Sequence, residues 1–217
     1  MQKIMFNSYY GLQSSVLKGT KTMTRRPVGK RMTEWDIEAY LKGHKEVAYN
    51  LAQYKIGEIV AIAQRYKDCG YEPNMLQRTF VPKPTIFPEL DPYQPLQGWI
   101  DLPLKYHKGW NNKMFVLADL MPLKIQITDI KVERLQDISD EDVYKEGFRK
   151  EAINNGWGNA AWHWEAVLTY MDGLGRYKQI RSENPKEAFS CLIDKLSGLG
   201  TWDRNDWQFA YSFKLVK

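Results

Sequence analysis

The chain is poor in the residues that usually announce chemistry. Among 217 residues there are two cysteines, Cys69 and Cys191, and three histidines, His44, His107 and His163. Neither set has metal-ligand spacing, so no zinc site, no other metal, no cofactor and no disulfide framework are expected, and a reducing, cytoplasmic setting is. No run of about 18 apolar residues is present, so no membrane span is expected. The N-terminus lacks the pattern of a signal peptide. There is no P-loop, no G-x-G-x-x-G, no nucleophile elbow and no internal repeat. These absences remove the common triphosphate, dinucleotide and serine-hydrolase readings.

What is present begins with bulk. A hydrophobic content of 43% and eight tryptophans indicate a folded chain rather than a disordered one. The formal net charge of +5 suits a polyanionic partner without requiring one.

The cations are concentrated in Val16-Leu-Lys-Gly-Thr-Lys-Thr-Met-Thr-Arg-Arg-Pro27, which holds Lys18, Lys21, Arg25 and Arg26 around a G-x-K-x-x-T-x-R string. Tyr10, Leu12, Val16 and Leu17 before it fall at helical spacing, predicting a short helix from about Ser8 to Lys18 that Gly19 stops. The chain then reads as extended up to Pro27. Ideal alternation places Lys21, Met23 and Arg25 on one face and Thr22, Thr24 and Arg26 on the other, so a bend is needed to bring Lys21 and Thr24 to one site. Two readings stand side by side: a solvated cationic edge strand, or an anion site, since Lys and Arg can hold phosphates.

Downstream, a broken apolar face from about Thr33 to Tyr54 predicts helix divided at Gly43. Ile56 to Ala63 predicts a buried strand. From Tyr66 to Asn112, prolines at 73, 82, 84, 88, 92, 95 and 103 predict a long irregular insertion. Its scattered aromatics, among them Tyr71, Phe80, Phe87, Tyr93, Trp99, Tyr106 and Trp110, are expected to pack on their own small cluster before serving as a stacking surface. Leu123 to Val132 alternates cleanly with one slip near Asp129, the mark of a bulge. Ser139 reads as an N-cap, with Asp140, Glu141 and Asp142 at the positive end of a short helix closed by Gly147. Glu146 then falls in the last turn, where the dipole disfavours a carboxylate and a nearby cation is invited. Helices are predicted over Ala160 to Tyr170, with Trp162, Trp164, Val167 and Leu168, and over Asn184 to Leu196, with Phe189, Leu192, Ile193 and Leu196 as a buried stripe. Trp207 to Val216 predicts a final strand.

Three stretches, in order and well separated, resemble the ASCH domain superfamily, a branch of the PUA-like β-barrels. They are Val16 to Pro27, Ile127 to Phe148 and Gly198 to Lys214, and the likeness is greatest to the longer ASCH proteins of phages and prophages. Thr24 stands where the usual pattern of the family has an acid, and Asp206 where related phage proteins tend to have proline. The resemblance implies an α+β fold: a PUA-like, partly open β-barrel with flanking helices and a long Pro/aromatic-rich insertion. A single domain over residues 1–217 is expected, with the insertion at about 66–112 and a helical elaboration at about 155–197.

It also implies a cleft beside the first helix and strand and an RNA or modified-nucleoside partner; Lys18, Lys21, Arg25 and Arg26 are the expected nucleic-acid-binding residues, and Lys21, Thr24, Arg25, Arg26 and Glu146 the expected lining of a basic cleft. A subgroup of small bacterial ASCH proteins carries the same K-x-x-T arrangement and hydrolyses the amide of acetylated cytidine. By that likeness Thr24 is the nucleophile, Lys21 the base and Glu146 the third catalytic group. A binding module, an amidohydrolase acting on an acylated nucleoside, and a protein-interaction module are the functions in play.

Overall fold

The computed structural model describes residues 1–82, 97–153 and 163–216. In chain order these form β1 (Lys3–Ile4), α1 (Leu12–Leu17), β2 (Met23–Pro27), α2 (Glu34–Leu41), α3 (Lys45–Leu51), β3 (Ile59–Ile62), β4 (Leu76–Pro82) and β5 (Gln97–Pro103). They continue with β6 (Lys124–Arg134), α4 (Asp140–Lys145), β7 (Arg149–Ile153), β8 (His163–Met171), β9 (Tyr177–Ser182), α5 (Pro185–Ser197), α6 (Thr201–Arg204) and β10 (Trp207–Val216). The fold is mixed α+β.

The principal sheet runs β1-β3-β6-β10-β2. Its centre is the long antiparallel pair of β6 and β10, with Ile125, Ile127, Ile130 and Val132 of β6 buried beside Phe209, Tyr211 and Phe213 of β10. The slip near Asp129 is a bulge. Ser212 faces Asp129 and Phe213 faces Ile127, which leaves Thr128 without an opposite number. Both ends of this sheet, β1 and β2, are edges, and among the described residues it does not close into a barrel. The edge at β2 is where the functional geometry gathers. Phe189 and Leu192 of α5 join the same core.

Two expectations need correction. The stretch Ala160 to Tyr170 is not helical from His163 onward: it is β8, antiparallel to β7 and to β9, and Trp162 lies outside the described residues. Val, Thr, Tyr and Trp favour a pleated strand over a helix. Asp172-Gly-Leu-Gly-Arg176 then supplies a hairpin turn, whose Leu174 and Arg176 N–H groups both donate to Asp172 Oδ1 at 2.9 Å. The helical elaboration therefore shrinks to α5, which starts with Asn184 capping the Lys186 N–H at 3.0 Å and Pro185 in its first turn.

The insertion is also more regular than its prolines suggest. β4 and β5 pair in antiparallel register from Leu76↔Pro103 to Pro82↔Gln97, with prolines at the strand ends, where a missing N–H costs least. Phe87 and Tyr93 lie outside the described residues. Tyr71 and Trp110 pack onto a second cluster built on Tyr66, Leu104, Val116 and Met121. No helix of the described residues is long and apolar enough to cross a membrane.

Candidate active-site cleft

The bend between Lys21 and Thr24 comes from the way α1 ends. Gly19 takes φ +74°, and the N–H groups of Thr20 and Lys21 both donate to the Ser15 carbonyl, at 2.9 and 3.1 Å. The Thr22 N–H then crosses to the Lys145 carbonyl at 2.9 Å. Lys21 thus belongs to a turn, and β2 begins only at Met23. The alternation that would part Lys21 from Thr24 does not reach back to Lys21. Both line one cleft of about 330 Å³, together with Arg25, Arg26 and Glu146. The apolar stripe of α5, which reads in the sequence as plain core, forms its wall: Phe189, Leu192, Ile193 and Leu196.

The cleft floor is a buried ion network. Lys21 is 2% exposed. Its amine donates to the Glu146 carboxylate and, at 2.9 Å, to the Glu146 carbonyl. Glu146 is the C-cap residue of α4, so its carboxylate sits at the negative end of a helix and is met there by two cations. The second is Arg25, whose Nη1 donates to Glu146 Oε1 at 2.9 Å. Its Nη2 reaches Glu133 and, at 3.4 Å, Asp142 Oδ2. Asp142 also accepts from Lys131 at 2.9 Å and from Lys145 at 3.2 Å. Arg25 lies 5.8 Å from the Phe189 ring centre, a cation–π distance.

Burial and charge set the proton affinities. Burial pushes the Lys21 amine below the ordinary lysine value, Glu146 opposes this, and Arg26 and Arg25 add to the lowering. Burial works against the Asp142 carboxylate too, but hydrogen bonds and charge from Lys131, Lys145 and Arg25 outweigh it and hold its carboxyl below the usual range. Two donors remain unmatched. The Thr24 hydroxyl makes no hydrogen bond among the described residues, so Lys21 and Thr24 share a cleft without a hydrogen bond between them. Arg25 Nε is buried without a hydrogen-bond partner among the described residues.

The expected cation set divides. Lys21 and Arg25 are held by carboxylates. Arg26 is at the cleft, its guanidinium donating to the Met5 carbonyl and making no ion pair among the described residues. Lys18 is not part of the cleft. It caps α1 just before the Gly19 reversal and lines a separate cavity. Glu133 and Asp142 are site residues that sequence reasoning missed. Asp142 reads as one of three acids serving the helix dipole, and its burial beside Val143 was the available signal. Glu133 has no local signal at all.

No group of three or more His, Cys, Asp or Glu among the described residues is arranged to hold a metal ion. No family model matches the chain, and neither a curated protein nor a solved structure matches it.

Proposed function

We propose that the cleft receives the base of an acylated nucleoside and that Thr24, Lys21 and Glu146 hydrolyse its amide, on a fold of PUA-like type. One observation carries this reading. A fully buried lysine of lowered proton affinity lines the same nucleoside-sized cleft as a threonine hydroxyl that has no partner. A threonine hydroxyl is a poor nucleophile until a base takes its proton, and a lysine can do so only when desolvated. Hydrogen bonds of this kind are often loose before substrate binds, and Lys21 has to swing from Glu146 toward Thr24 for the reaction.

Lys21, unprotonated, takes the Thr24 proton as Oγ1 attacks the amide carbonyl. The lysine returns that proton to the departing nucleoside amine, leaving the acyl group on Thr24 as an ester. Water then cleaves the ester, giving a carboxylic acid and free Thr24. Glu146 steadies the lysine in its charged phase, and the α5 wall keeps bulk water from the base.

The charge balance argues for a nucleoside over a polyphosphate. Lys21 and Arg25 face Glu146, Glu133 and Asp142, so the cations that a phosphate would need are already engaged. Arg26 is the cation left at the mouth, and it favours a second reading: binding of a modified nucleoside within RNA, without reaction.

The test is release of cytidine from acetylated cytidine by the wild type, beside Lys21→Ala and Thr24→Ala. Release that both substitutions abolish supports the hydrolase. No release, with salt-sensitive RNA binding that needs Arg26, overturns it in favour of the binding module.

A further inference from the structure

The cavity that Lys18 lines has a chemistry of its own. It holds about 490 Å³, larger than the cleft and within the usual span of small-molecule sites. Tyr9, Tyr170 and Tyr177 stand along it, and Tyr9 and Tyr177 are 48% and 75% exposed. Two cations line it, Lys18 and Arg149. Lys18 makes no ion pair among the described residues, while Arg149 is shared with Glu151 at 2.8 Å and with the Thr169 hydroxyl at 3.3 Å. Five serine and threonine residues complete the polar lining, and no acidic residue lines it among those described.

Each feature narrows the occupant. Exposed tyrosines offer faces to a planar ring, and their exposure is otherwise unfavourable for side chains of this size. Lys18, with no ion pair among the described residues and no carboxylate in the lining, selects an anion. The abundance of hydroxyls disfavours an alkyl chain, for which Leu168 and Met171 supply too little apolar wall. A sugar alone would want carboxylate or amide acceptors, and the lining has neither.

We infer that this cavity is a nucleotide site, in which Tyr9 and Tyr177 stack on a base and Lys18, with Arg149, takes its phosphate. It stands independently of the cleft's chemistry. Its occupant is either a free mononucleotide or one residue of a single strand. Gly147 joins the two cavities: it follows Glu146, lines the second cavity, and a Cβ there would lie 3.5 Å from the Cβ atoms of both Lys21 and Ser15. The wall between the two sites is one residue thick at that point.

The experiment is calorimetric titration with adenosine 5′-monophosphate, adenosine and a short single-stranded oligoadenylate, on the wild type and on Tyr177→Ala, Lys18→Ala and Arg26→Ala. Tyr177 and Lys18 are exposed, so their variants keep the fold. Binding of the monophosphate above adenosine, weakened about 5- to 150-fold by Tyr177→Ala, supports the site. In that case Lys18→Ala flattens the salt dependence and Arg26→Ala changes nothing. Binding of the oligonucleotide alone, with the same variant pattern, supports the site and assigns it to a strand. Binding of neither probe, or binding lost in Arg26→Ala and kept in Tyr177→Ala, overturns it.

Discussion

The two cavities hold similar side chains and opposite fields. The cleft has Lys21 and Arg25 at its floor, but Glu146, Glu133 and Asp142 meet them within hydrogen-bond reach. In the second cavity Arg149 is met by Glu151 at 2.8 Å, but Lys18 makes no ion pair among the described residues, and no acidic residue lines the cavity among them. In the first, both cations are held by carboxylates, and burial lowers the proton affinity of Lys21. In the second, a cation remains available to a ligand. The cations of the segment from Val16 to Pro27 are nearly adjacent in the chain, yet the reversal at Gly19 sends Lys18 to one field and Lys21 to the other. Charge density in a sequence therefore does not define a binding surface. The distribution of acids brought in by distant elements does.

The largest effects that test this contrast are catalytic. Lys21→Met should lower cytidine release about 10²- to 10⁴-fold, while Thr24→Val removes the nucleophile and abolishes release without loss of nucleoside binding, read in single-turnover and binding assays. Because Lys21 must be unprotonated to act, activity should rise with pH through a limb lying below the ordinary lysine value. Retention of full activity in Thr24→Val removes the nucleophile assignment.

Next comes stability. Glu146→Ala leaves Lys21 buried with its charge uncompensated and should cost about 3–5 kcal/mol in urea unfolding. Lys18→Ala, on the open side, should stay within about 0.5 kcal/mol. Equal effects at the two positions would erase the distinction between the cavities.

Gly147→Ala should cost about 1–2 kcal/mol, because Gly147 sits at φ +111°. A Cβ there would make only ordinary contacts, at 3.5 Å, with Lys21 and Ser15, so the cost is one of backbone strain. The smallest effect is a pH dependence. Asp142 has a lowered folded pKa, so its contribution is present above the unfolded aspartate value and fades as pH falls through the folded one. Asp142→Asn should be destabilising near neutrality and progressively less so in acid. A constant difference across that range would mean Asp142 acts by packing alone.

Much of the scaffold was legible because it is local. The caps Ser139 and Asn184, the breaks at Gly19 and Gly43, and the slip in β6 are each encoded within a few residues. What was not legible is long-range. β8 carries apolar residues that satisfy a helical and an extended spacing alike, and only the hairpin turn after it and the pairing with β7 and β9 decide between them. The shape of the cleft was hidden for the same reason. The α5 stripe has the periodicity of core, and nothing in its spacing says that one side of it stops at a void. Lys21, Thr24 and Glu146 were expected by family resemblance and line one cleft, but Glu133 and Asp142, which also neutralise Arg25, come from more than 100 residues away and had no such pointer.

The unpaired Thr128 in β6 reaches further than its own ladder. Opposite residues share a face of the sheet, and Arg25 lies across Ala210 from Lys131, with Gln208 across from Glu133. Upstream of the bulge, odd-numbered residues of β6 point into the core, as Ile125 and Ile127 do. Downstream, even-numbered ones do, as Ile130 and Val132 show. The extra residue works as a parity switch. Past it, Lys131 and Glu133 lie on the side of the sheet where Arg25 waits, and deleting Thr128 would close the ladder from Ile127–Phe213 to Asp129–Ser212 and leave those faces as they are. Glu133 of β6 thus reaches Arg25 at the cleft floor from a strand whose inward residues change parity on the way.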